Sequence, residues 1–193
     1  MTYQFKIQLK DISNPRVWRR VLVPSNFTFE EFHRVIQFSF GWEFSHLFFF
    51  SPTGYRSKPM IEMNTEENEF YEVLDEDSLD AETTLLSEIF ISEKQKFTYL
   101  YDFGDDWKHQ ITLEKILVDD EIEKPVMLKG EGACPPEDCG GPWRYMDLKE
   151  TLADKKHPEY KEMRAWLGLR PGKNWNADAF DLEEYQQILN LYF

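Results

Sequence analysis

A chain of 193 residues, 41% hydrophobic and 16% aromatic, is long enough for one self-sufficient core, since folding at this size hides about 70% of the unfolded surface. Its formal net charge of −14 repels phosphate backbones and so disfavours generic nucleic-acid binding. No apolar run approaches the roughly 20 residues that span a bilayer, and the opening MTYQFKIQLKD lacks the apolar stretch of a signal peptide, so a cytoplasmic protein without a membrane segment is expected.

Tyr3, Phe5, Ile7 and Leu9 alternate with polar residues, the period of a half-buried strand. Ser13-Asn14-Pro15 is a turn cluster, and Val17 to Val23 reads as the second strand of a hairpin, ended by Pro24. Thr28 then reads as a helix N-cap with Glu31 completing a capping box. Phe29, Phe32, Val35, Ile36 and Phe40 supply one apolar helical face, and Gly41 a stop. A hairpin followed by an amphipathic helix is how a β-grasp-like fold begins, although other α+β folds open the same way.

His46 to Ser51 (HLFFFS) is an apolar strand turned by Pro52-Thr53-Gly54. From Glu62 to Glu82 there are ten acidic residues and no Lys or Arg, which reads as an acidic surface loop or insertion at about 62–82. Thr84 to Phe90 suits a short helix. Phe97 to Tyr101 and Gln110 to Ile116 suit strands joined through FGDDW as a second hairpin. After a Pro- and Gly-rich loop the chain turns helical, at Met146 to Leu152, Pro158 to Leu167 and Asp181 to Leu191. The expected fold is α+β: an N-terminal β-hairpin plus helix in a mixed sheet, with a helical C-terminal third, as one domain over residues 1–193.

Two segments concentrate the chemistry, YDFGDDWKH at Tyr101 to His109 and GEGACPPEDCGGPW at Gly130 to Trp143. Cys134 and Cys139 lie in a C-x4-C spacing, slightly wide for loop zinc ligands and without a second pair. In a reducing compartment they read first as packed thiols, then as metal ligands completed by His46, His109 or a carboxylate, then as a redox pair. Asp102, Asp105, Asp106 and His109 could together hold zinc or another divalent ion and activate water. The same residues make good turn chemistry, and adjacent strand residues face opposite ways, so the turn reading leads. Trp18, Trp42, Trp107 and Trp143 sit beside turns or strand ends and read as packing rather than base-stacking platforms. Arg16, Arg19 and Arg20, joined by Arg34, are the best candidate for a local basic patch, with a solvated strand face as its plainer reading.

YDFGDDWKH, GEGACPPEDCGGPW, the opening NPRVWRRVLVP and the closing AFDLEEYQQIL together resemble the plasmid pRi ORF-three-like family. Its members also travel as passengers of insertion elements, where some are labelled TnpR-like. The resemblance runs nearly end to end. It implies a compact α+β domain associated with plasmids and mobile elements, and it carries no established enzymatic activity. A resolvase would need a nucleophilic serine amid arginines and a basic tail, whereas FDLEEYQQILNLYF contains no basic residue. Family members often show an HLH triplet where this chain has His46-Leu47-Phe48, so this chain lacks the second imidazole on which a paired-histidine metal site would rest.

Three functions are therefore expected, in descending order. The first is a non-catalytic interaction domain that binds a protein partner through the acidic loop. The second is a metal-binding protein or metal-dependent hydrolase built from the 101–109 turn and the 134–139 cysteine loop. The third is nucleic-acid binding through Arg16, Arg19 and Arg20.

Overall fold

The computed structural model describes residues 1–63, 78–119 and 121–193. Residues 64–77, the bulk of the expected acidic loop at 62–82, lie outside the described residues. The chain is α+β. Strands β1 (Thr2–Leu9) and β2 (Trp18–Pro24) form the opening hairpin, and α1 (Phe29–Phe40) follows. Then come β3 (Phe48–Ser51), β4 (Ile61–Glu62), β5 (Leu79–Asp80), the short α2 (Leu86–Ile89), β6 (Lys96–Tyr101), β7 (Trp107–Leu117) and β8 (Val126–Glu131). Helices α3 (Gly141–Ala153), α4 (Tyr160–Trp166) and α5 (Leu182–Tyr192) close the chain. The strands form one mixed sheet in the order β5-β4-β3-β6-β7-β1-β2-β8, antiparallel except for β4 with β5.

Local chemistry explains the best-defined element. The Glu31 N–H donates to Thr28 Oγ1 at 3.2 Å and the Thr28 N–H donates to Glu31 Oε2 at 2.8 Å, so both halves of the capping box are made. Gly41 ends α1 at φ 83°, where a side chain would be strained. The buried face of α1 carries Phe29, Phe32, Val35, Ile36 and Phe40, with Phe32 packed against Phe5 and Phe50 of the sheet and Phe29 against Phe50 and Phe90. Each such side chain taken from water contributes roughly 2 kcal/mol. Beyond the hairpin and α1, the second neighbour of β1 is the antiparallel β7, in the register Ile7 with Ile111 and Leu9 with His109.

Arg19 faces the same interior and is fully buried. Its guanidinium donates to the backbone carbonyls of Ser39, Trp18, Glu131 and Gly132. It lies 5.0 Å from the Phe40 ring centroid, 4.6 Å from Phe180 and 5.0 Å from Tyr185. Burial pulls its pKa below the ordinary guanidinium value, opposed by the neighbouring Tyr185 and Cys134. One cation thus ties together β2, β8, the end of α1 and the packing of α5. It is structural, and the basic patch expected from Arg16, Arg19 and Arg20 is not formed. Arg20 is held by Glu114 at 2.6 and 2.8 Å, which leaves Arg16 alone on the surface. Arg34, on α1, stacks over Phe193 instead.

A polar thread runs through the aromatic core. Gln37 donates to the Tyr99 hydroxyl at 2.9 Å, so the hydroxyl proton is directed at His33 Nδ1, 2.8 Å away, and the imidazole proton is assigned to Nε2. His109 is fully buried among Phe40, Tyr99 and Trp42, with Nδ1 donating to the Trp107 carbonyl at 3.0 Å. Burial pushes both His33 and His109 down to about 3.

The unfolded chain protonates these imidazoles below about pH 6.5, whereas the folded chain resists until about pH 3. More protons are bound by the unfolded state in that window, so stability falls as pH drops through it. Each histidine contributes up to about 1.4 kcal/mol per pH unit. Urea midpoints are expected to fall between pH 7 and pH 5, with a shallower slope in His33→Gln. A His33→Gln slope equal to the parent's would show that His33 titrates normally.

Candidate functional site

The hairpin turn between β6 and β7 is built from aspartates. Asp102 and Asp106 adopt left-handed backbone angles, φ 57° and 59°. The Gly104 and Asp105 N–H groups donate to Asp102 Oδ1 at 2.8 and 3.2 Å, which fixes this carboxylate and leaves Oδ2 on the side of His46. The Gly140 N–H donates to Asp105 Oδ2 at 2.9 Å. Gly141 rests so closely on this turn that a Cβ there would lie 2.7 Å from the Asp105 carbonyl oxygen. The 101–109 turn and the 134–139 loop therefore meet.

The segment between α1 and β3 joins them. The Asp102 N–H donates to the Leu47 carbonyl, and the Ser45 N–H donates to the Tyr101 hydroxyl, both at 3.0 Å. Tyr101 donates in turn to Glu137 Oε1 at 2.9 Å, and the Glu43 N–H donates to the same oxygen at 2.7 Å. Burial, reinforced by Glu137, raises the Tyr101 pKa and keeps this hydroxyl a donor.

At the junction, His46 Nε2 lies 3.1 Å from Asp138 Oδ1, 3.5 Å from Asp102 Oδ2 and 3.9 Å from Glu137 Oε2. His46 Nε2 and Glu137 Oε2 are both buried and neither makes a hydrogen bond of good geometry among the described residues. Ligand atoms of His46, Asp102 and Asp138 all fall within 4.8 Å of one another. One imidazole and three carboxylates give a nitrogen and oxygen donor set suited to a divalent ion such as manganese, iron or zinc. A divalent charge would also offset the repulsion among the three acids.

Of the residues expected to hold a metal, the structure brings together His46 and Asp102. Asp105 links the two segments through Gly140 rather than joining the donors. Asp106 faces elsewhere, paired with the Lys108 ammonium at 2.7 Å and accepting from Tyr55 at 3.1 Å. His109 belongs to the core. Cys134 and Cys139 are free thiols packed against the core. Burial raises both pKa values, that of Cys134 despite Arg19 and that of Cys139 to about 12 with the help of Asp105. That favours the thiol over the thiolate that zinc or redox chemistry requires.

Sequence reasoning missed Glu137 and Asp138, although both stand between the two cysteines; the paired acids in a proline-bracketed loop were the available signal. Position 48, where a second histidine would complete an HLH triplet, is Phe48, which stacks on His33 at 3.7 Å. Trp42 and Trp107 are core residues, as expected, while Trp143 is 85% exposed on the first turn of α3.

Comparison with known proteins gives the chain its place. The plasmid pRiA4b ORF-3-like protein family matches residues 1–184. The uncharacterized protein y4hQ of Sinorhizobium fredii is 35% identical over 166 residues, covering 86% of this chain and 80% of that protein. A protein of unknown function from Methanosarcina mazei, MM3350, has a similar crystal structure, with a TM-score of 0.77 and 31% identity over 95% of this chain and 96% of that one. The chain belongs to the plasmid pRiA4b ORF-3-like family. Among the described residues no helix is long and apolar enough to cross a membrane.

Proposed function

We propose that this member of the plasmid pRiA4b ORF-3-like family is a divalent-metal-binding protein, with His46, Asp102 and Asp138 as ligands and Glu137 as a fourth donor. The observation that carries the reading is the convergence of these donor atoms within 4.8 Å, at the point where three separate segments meet. Chain order alone would not bring a loop histidine, a turn aspartate and a cysteine-loop aspartate together. Support also comes from the surrounding bonds: Oδ1 of Asp102 and Oε1 of Glu137 are each anchored, which orients the other oxygen of each carboxylate. Asp138, with its side chain 75% exposed, stands at the solvent edge, so an ion held here would be reachable by water or a substrate.

Protein purified without chelator is expected to carry about one ion per chain, and titration of the chelator-treated chain with manganese or zinc should be saturable. His46→Ala and Asp138→Asn should each weaken binding about 100-fold, at or beyond the upper end of what losing an outer partner does. Cys134→Ser should leave it unchanged. Full affinity in both ligand variants would sink the proposal. A protein-binding role for the acidic tract rests on residues largely outside those described, and neutralising its carboxylates is the direct test.

A further inference from the structure

We infer that the cleft between α3 and α4 is a docking site for an arginine- or lysine-bearing segment of a protein partner. The cleft has a volume of about 470 Å³, in the range that takes up a few side chains. Its apolar lining is Leu148, Met163 and Trp166, of which Trp166 is 48% exposed. Asp138, Asp147, Glu159 and Glu162 also line it, against the single guanidinium of Arg144.

The side chains of Asp147, Glu159 and Glu162 have no ion-pair or hydrogen-bond partner among the described residues. Unpaired acids beside an accessible indole suit a cation that is attracted by the carboxylates and stacks on the ring. The apolar wall needs something more than charge. An extended peptide that alternates basic and apolar side chains supplies both, whereas a free polyamine brings no bulky apolar group. The cleft reading does not depend on the metal centre, although Asp138 borders both.

The test is calorimetric titration of the intact chain with an acetylated, amidated pentapeptide of alternating arginine and leucine. Runs with and without chelator keep the outcome separate from that of metal binding. Saturable binding is expected in both. It should weaken about tenfold in the double variant Glu159→Gln, Glu162→Gln, whose exposed positions leave the fold intact, and about tenfold in Trp166→Ala. Raising salt should weaken it further, and the peptide with glutamate in place of arginine should not bind. Unchanged affinity in the double variant, equal binding of the glutamate peptide, or equal affinity for spermidine would each overturn the proposal.

Discussion

Replacing Arg19 with methionine is expected to lower the unfolding free energy by about 4 kcal/mol, read as a shift in urea midpoint at constant slope. Two opposing contributions set that figure. Removing a buried cation relieves its desolvation, which taken alone would stabilise the fold. Against this, carbonyls of Ser39, Trp18, Glu131 and Gly132 lose their donor, and each buried acceptor left unmatched costs about 1–3 kcal/mol. The three rings stacked on the guanidinium also lose a desolvated cation, worth about 1–2 kcal/mol per close contact. The second set outweighs the first. Arg19→Lys should recover less than half the loss, because one ammonium cannot reach four carbonyls fixed around a planar fork. A loss below about 1 kcal/mol for Arg19→Met would mean that the carbonyls find other donors.

The second large effect is expected at Gly141. Alanine there meets a left-handed backbone, φ +81°, and a Cβ position 2.7 Å from the Asp105 carbonyl oxygen. The conformational part costs about 1–2 kcal/mol. The contact adds to it because the obstacle is backbone, which cannot rotate aside as a flexible side chain would. Gly141→Ala is therefore expected to cost about 3 kcal/mol of stability and, by parting the α3 start from the Asp102 turn, to weaken the proposed divalent-ion binding as well. Gly168→Ala is the matched control, since its φ of +61° is strained but nothing lies within 4 Å. It should show the conformational loss alone and normal ion affinity. If both variants behaved alike, the contact with Asp105 would be dispensable.

These two positions also show where the sequence was readable. The capping box at Thr28 and Glu31, the stop at Gly41 and both long hairpins depend on neighbours in the chain, so local patterns disclosed them. Strands β4, β5 and β8 depend on partners far away, and two of them are only two residues long, so no periodicity announced them. Arg19 and His109 were misplaced for one shared reason. Val17, Arg19, Val21 and Val23 share a parity and are all buried, as do Trp107, His109, Ile111 and Leu113. Alternation along each strand points both polar residues inward, against what a cation and a ligand-type imidazole suggest by residue chemistry alone. The donor cluster was legible only in pieces. YDFGDD and CPPEDC each stood out, but their meeting is a product of long-range packing through Tyr101 and Gly140.

The parallel pairing of β4 and β5 carries a consequence for any engineering of the acidic stretch. Parallel neighbours require a crossover of about a dozen residues or more, and residues 63–78 meet that length. Shortening the stretch well below it would pull β5 out of register, and removing residues 62–82 whole would strip β5 and half of β4 from the rim. The newly bared edge would be β3, Phe-Phe-Phe-Ser, an apolar ribbon of unpaired amides prone to join its like in another copy. A length-preserving swap of acids for amides leaves that rim guarded. Truncation would convert a question about partners into one about aggregation.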